Sequence, residues 1–119
     1  MKVECTTDQP DYPLLRIFDF NEEGATQLKR VLESLANGQK SEITLTDIPN
    51  ITGVNGCRLI LKAVKHFTGI RRNKKTGTFT WREKKWTWDN HAGLVEPFCT
   101  KCHGHQYLGD VVLSADSSR

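Results

Sequence analysis

The clearest periodic signal in the chain lies where Ala25, Leu28, Val31, Leu32 and Leu35 recur at helical spacing. Asn21 precedes them with a side chain able to cap, Glu22 and Glu23 place acid in the first turn, and Gly38 after Asn37 supplies a left-handed stop. Gln27, Lys29, Arg30, Glu33 and Ser34 occupy the opposite side, so the pattern predicts an amphipathic helix with one face for a sheet. Gly24 weakens its first turn by about 1 kcal/mol relative to Ala without removing the helix.

Elsewhere the period is two. Residues 14–20 (LLRIFDF) are a short apolar run between Pro13 and an acidic cluster, and read as a strand. Residues 42–46 (EITLT) alternate Ile43 and Leu45 against Glu42 and Thr44, and the Gly53 to Gly56 stretch after them signals a turn. Residues 57–64 (CRLILKAV) set Leu59, Leu61 and Ala63 against Arg58 and Lys62. Residues 69–72 and 78–82 flank a five-residue, Gly-containing loop and predict a hairpin, after which 83–85 turn the chain into 86–88 (WTW) and continue an antiparallel meander. Asp89 is expected to cap a short helix through Ala92, Leu94 and Val95, which Pro97 limits. Residues 98–109 read as loop and 110–115 (DVVLSA) as a last strand. Residues 1–12 are expected to be an extended lead-in and 116–119 a fraying tail. The expectation is the α+β class in a single domain, 1–119. It consists of a mainly antiparallel sheet of about five strands, one long amphipathic helix packed on one face, and a short second helix.

Leu, Ile, Val and Phe make up 29 of the 119 residues, about 24% and above the ~20% below which disorder is the default. That supplies one modest core and not two. No run approaches the ~20 apolar residues of a membrane span, and residues 1–12 lack a signal-like apolar stretch, so a soluble, cytoplasmic protein with no membrane contact is expected. Four cysteines are too few for a disulfide scaffold, and reduced thiols are expected. Cys57, ahead of the 59–61 apolar run, reads as a small buried hydrophobe with no partner that can be named.

Charge changes the picture more. The net charge of +3 divides into −3 over residues 1–60 and +6 over 61–119, and between Lys62 and Lys85 nine basic residues face only Glu83. Such an asymmetry steers anionic partners, although a solvated sheet face produces it equally. Arg71, Arg72, Lys74, Lys75, Lys84 and Lys85, with Arg82, interleave with Phe79, Trp81, Trp86 and Trp88. Single-strand binders combine stacking aromatics with a cationic groove, but the alternation of 78–81 puts Phe79 and Trp81 on one face, where a core needs them.

The other dense constellation is Cys99, Cys102, His103 and His105. Two thiolates two residues apart can share a tetrahedral Zn²⁺, with either His as third ligand and His91, His66 or Cys57 as fourth. The second closely spaced pair that usually completes such a site is missing. Cys99, Cys102 and His103 also match the c-type haem attachment string, yet haem attachment requires export, and Met1 is the sole methionine, so a thioether axial ligand is not on offer. A redox pair would open a long helix after a strand, whereas this one follows a proline-ended short helix. Catalytic patterns are weaker still. Residues 52–56 (TGVNG) lack the Lys and spacing of a phosphate loop, and Ser114, Ser117 and Ser118 have no nucleophile-elbow context. Asp89, His91 and Glu96 lie close in sequence, which a helix cap and an ordinary histidine explain.

The leading expectation is therefore a non-catalytic protein-interaction or assembly module without a cofactor, engaging a protein partner through a sheet edge or the basic hairpin. The alternative is a zinc-stabilised nucleic-acid-binding module that uses Cys99, Cys102, His103 and His105 for metal and the 71–85 hairpin for phosphate. A small enzyme with its site near His91 and the 99–105 loop is the third reading. No residue names a substrate or fixes the oligomeric state.

Overall fold

In the computed structural model, which describes residues 1–6 and 14–115, the local signals of the first helix are realised side chain by side chain. The chain runs through β1 (Lys2–Thr6), β2 (Leu14–Phe18) and α1 (Glu22–Ala36). Asn21 accepts the Gly24 N–H at 2.9 Å, which satisfies one of the amides left over at a helix start. Gly38, at φ +85°, turns the chain out of α1, while Ala25, Leu28, Leu32 and Leu35 form its buried stripe. Of the expected lead-in, 2–6 is strand β1 and 7–12 lies outside the described residues, as does the expected tail.

Then come β3 (Glu42–Thr44), β4 (Thr52–Gly53), β5 (Leu59–Ala63), β6 (Gly69–Arg72) and β7 (Phe79–Glu83). They are followed by α2 (Lys85–Val95), β8 (His105–Leu108) and β9 (Val111–Ser114). The α+β class stands, but the expected single antiparallel sheet of about five strands does not. The strands form a five-stranded sheet in the order β4-β1-β2-β9-β8 and a four-stranded sheet in the order β3-β5-β7-β6. Both are mixed, because β1–β4, β2–β9 and β5–β7 pair in parallel. The 69–83 hairpin forms as expected, yet its second strand returns beside β5 and leaves β6 at the edge, so the region is not a meander.

Four local expectations are corrected. Residues 86–88 are helix and not strand, and Asp89 lies within α2 and not at its cap. Trp88, His91, Ala92 and Val95 recur at i, i+3, i+4 and i+7 and are buried, so tertiary packing overrides the β preference of the tryptophans. The 42–46 strand ends at Thr44, where Leu45–Asp47 turns into a 3₁₀ segment. Residues 105–108, read as loop, are strand β8. The Gly109-Asp110 pair between β8 and β9 is a two-residue hairpin turn with Gly109 at φ +66°, a signal present in the sequence.

One core joins both sheets and both helices. Val3, Leu15, Ile17, Val111 and Leu113 come from the first sheet, Leu59, Leu61, Phe79 and Trp81 from the second, and Leu28, Leu32, Trp88 and Val95 from the helices. The radius of gyration, 13.2 Å, agrees with the ~13.5 Å of a single domain of this length. Cys57 has a partner after all. It forms a disulfide with Cys5 of β1, Cα to Cα 5.9 Å, which ties the first sheet to the approach of β5 and corrects the expectation of reduced thiols. No helix among the described residues is long and apolar enough to cross a membrane.

Candidate functional site

The parallel pairing of β5 with β7 builds the surface that the charge pattern foreshadows. Paired residues of neighbouring strands point to the same face. Leu59, Leu61, Phe79 and Trp81 therefore turn into the core together, and the residues between them turn out. The outward face carries two rows across the four strands: Glu42, Lys62, Arg82 and Gly69, then Thr44, Ile60, Thr80 and Arg71. None of these residues is buried. Lys62 is held by Glu42 at 3.3 Å, but it also stands directly abreast of Arg82. Like charges placed opposite one another in a sheet repel.

The 73–77 loop extends this face and is organised by its own side chains. Asn73 Oδ1 accepts the N–H groups of Lys75 (2.9 Å) and Thr76 (3.2 Å), while Asn73 N–H reaches Thr78 O at 2.8 Å. Gly77 closes the turn at φ +76°, a value that L side chains avoid. Lys74 and Lys75 are thereby displayed, both exposed, at the tip of the β6–β7 hairpin. Among the described residues, Arg71, Arg72, Lys74, Lys75, Arg82, Lys84 and Lys85 take part in no ion pair.

The six basic residues singled out from sequence do not share one surface. Arg71 lies on the outward face, Arg72 projects from the other side of the same strand, Lys74 and Lys75 crown the loop, and Lys84 and Lys85 begin α2 beyond β7. Lys62, Thr44 and Thr80 were missed. Their signal is the outward phase of 42–46, 57–64 and 78–82, but it acquires meaning only from the register of the strands.

The cysteine and histidine cluster is laid out differently from a ligand set. Cys99 ends the Glu96–Cys99 3₁₀ segment with its Sγ 3.9 Å from Val95 O. Cys102 Sγ lies 3.4 Å from Phe20 O, and the Cys102 N–H donates to Glu22 Oε2 at 3.1 Å. Both thiols are half-buried, whereas His103 and His105 are exposed. Among the described residues, no three His, Cys, Asp or Glu side chains come together to hold a metal ion. The carboxyl of Glu22 is held below the usual carboxylate range by the N–H of its own backbone and by that of Cys102.

His91, the centre of the enzyme reading, belongs to the core. It is 6% exposed, with its ring 5.5 Å from that of Trp81 and 5.8 Å from that of Trp88. Its Nε2 is 3.7 Å from Glu83 Oε2, which accepts the Trp81 indole N–H at 3.0 Å. Neither His91 nitrogen has a hydrogen-bond partner among the described residues. The groove of about 880 Å³ between the start of α1 and Asn50 is formed by other residues, Asp19, Glu23 and Arg30 among them.

No family model, curated protein or solved structure matches the chain.

Proposed function

We propose that the protein is a non-catalytic nucleic-acid-binding module that holds its partner by the phosphates on the outward face of the second sheet. The observation that carries this reading is the Lys62–Arg82 pair, two cations set abreast on parallel strands with Arg71 on the adjacent row. Their mutual repulsion costs stability in the isolated protein and is relieved by an anion lying across them. Phosphate contacts need only donors such as Arg, Lys and Thr hydroxyls, and this face offers all three. Base stacking is not part of the proposal, because Phe79 and Trp81 are buried on the opposite side.

A protein partner on this same face is less well supported. Protein interfaces depend on buried aromatic or aliphatic anchors, and Ile60 is the one apolar side chain in the two rows. The reading requires no zinc and leaves Cys99 and Cys102 with a packing role. A cytoplasmic setting, where nucleic acid is abundant, belongs to the same proposal. Reduction of Cys5–Cys57 in such a setting would loosen the tie to β1, and the β5–β7 register that builds the face would remain.

The test is fluorescence anisotropy of a labelled duplex oligonucleotide across a salt series. With Lys62, Arg71, Arg82, Lys74 and Lys75 engaging phosphates, the slope of log K against log salt is expected to be about −4.5, about −0.9 per contact. Arg71→Ala and Arg82→Ala each reduce it by about 1. No anisotropy change at low salt, or a slope indifferent to both substitutions, overturns the proposal.

A further inference from the structure

We infer that the other edge of the second sheet, β3 with the groove between it and α1, receives an extended peptide strand carrying an apolar residue flanked by acidic ones. The sheet ends at β3, and the bond from Ala63 N–H to Ser41 O (2.9 Å) fixes the hydrogen-bonding phase of the β3–β5 ladder. Ser41 and Ile43 then face β5, while the Glu42 N–H and C=O and the Thr44 N–H point away from the sheet. These are the groups a docking strand would take up.

Beside that edge lies a groove of about 460 Å³ whose apolar lining is Val31, Ile43 and Ile48. Ile43 occupies the inner phase of β3, so a strand paired with Glu42 and Thr44 drops its intervening side chain over Ile43 and into the groove. The rim carries Arg30 and Lys40, neither in an ion pair among the described residues, while the carboxylate of Glu42 is already engaged by Lys62. Residues two positions either side of the apolar one fall on the same side of the strand, so acidic residues there meet Arg30 and Lys40. The apolar anchor missing from the outward face is present here, which favours a peptide over a nucleic acid at this edge. The inference is independent of the proposed phosphate contacts, which lie on the outward face.

The probe is a capped pentapeptide of glutamate, threonine, valine, threonine and glutamate, titrated into the isotope-labelled full chain and followed by amide chemical shifts. Saturable shifts are expected at residues 40–44 and at Val31. N-methylation of both threonines removes the donors aimed at β3 and should weaken binding about tenfold or more. Thr44→Pro removes the outward N–H at a residue already at φ −88°, leaving the ladder to β5 intact, and is expected to weaken binding similarly without lowering the melting temperature. Replacing both glutamates by lysine should abolish binding. No saturable shift at millimolar peptide, equal binding of the N-methylated peptide, or shifts confined to 71–85 would each overturn the inference. If Thr44→Pro unfolds the chain, the N-methylated peptide alone decides.

Discussion

Reduction of Cys5–Cys57 is expected to remove a large part of the stability of this domain. The bond closes a loop with a sequence separation of 52. Loop-closure entropy for that length amounts to about 14 cal/mol/K, or about 4 kcal/mol at 25 °C, in the chain-entropy account. For a domain of this size the corresponding fall in melting temperature is roughly 12–20 °C. Urea unfolding of the oxidised protein, the reduced protein and the Cys5→Ser/Cys57→Ser double variant measures the effect, with the two perturbed forms expected to agree. A thiol titration in denaturant provides a second readout. Two thiols, Cys99 and Cys102, should react before reduction, and all four cysteines after it. Four reactive thiols in the unreduced protein, or a loss below about 1 kcal/mol on reduction, would refute the reasoning.

Arg82→Thr should raise stability by a few tenths up to about 1 kcal/mol, because it removes the like-charge neighbour of Lys62, while weakening oligonucleotide binding. A fall in stability, read by urea unfolding, would mean that no repulsion is stored there. Glu22, whose carboxyl is held below its ordinary range, stabilises the fold above that range and loses the contribution as pH falls through its folded value. Glu22→Gln should therefore flatten the acid side of the stability profile, with an NMR titration of the carboxyl locating the step. Gly53→Ala would drive a methyl group into the Cys57 carbonyl, a backbone clash with no room to relax, and should destabilise the protein by about 1–3 kcal/mol or more. Trp88→Ala, which empties a fully buried site and removes the indole N–H bond to the Lys62 carbonyl, should cost about 3–5 kcal/mol in the same assay.

What the sequence made legible was local. The α1 periodicity, the Asn21 cap and the Gly38 stop lie within one stretch and need no tertiary partner to be understood. The β6–β7 hairpin was readable for the same reason, its loop chemistry being contained in five residues. The parallel pairings were not, since nothing adjacent to Leu59 announces that Phe79 will lie beside it. Trp86 and Trp88 share one face of a strand by spacing, whereas in α2 they fall on opposite sides, Trp86 exposed and Trp88 buried against Trp81 with ring centres 4.8 Å apart. The candidate surface was half visible. The charge excess could be counted, but Lys62 and Arg82 become neighbours only through the returning strand. The Cys5–Cys57 bond had no local signal at all, because β1 and the approach to β5 meet only in the folded chain.

The position of β9 carries a consequence for how the molecule is made. It lies inside the first sheet, parallel to β2 on one side and antiparallel to β8 on the other, with Val111 and Leu113 fully buried. A ribosome delivers β2 long before β9, so β2 waits with one edge bare and Leu15 and Ile17 short of their final neighbours. Exposed strand edges of this kind recruit other chains. The nascent protein is thus most prone to self-association just before residues 111–114 emerge, and slow translation of that stretch would lengthen the hazard.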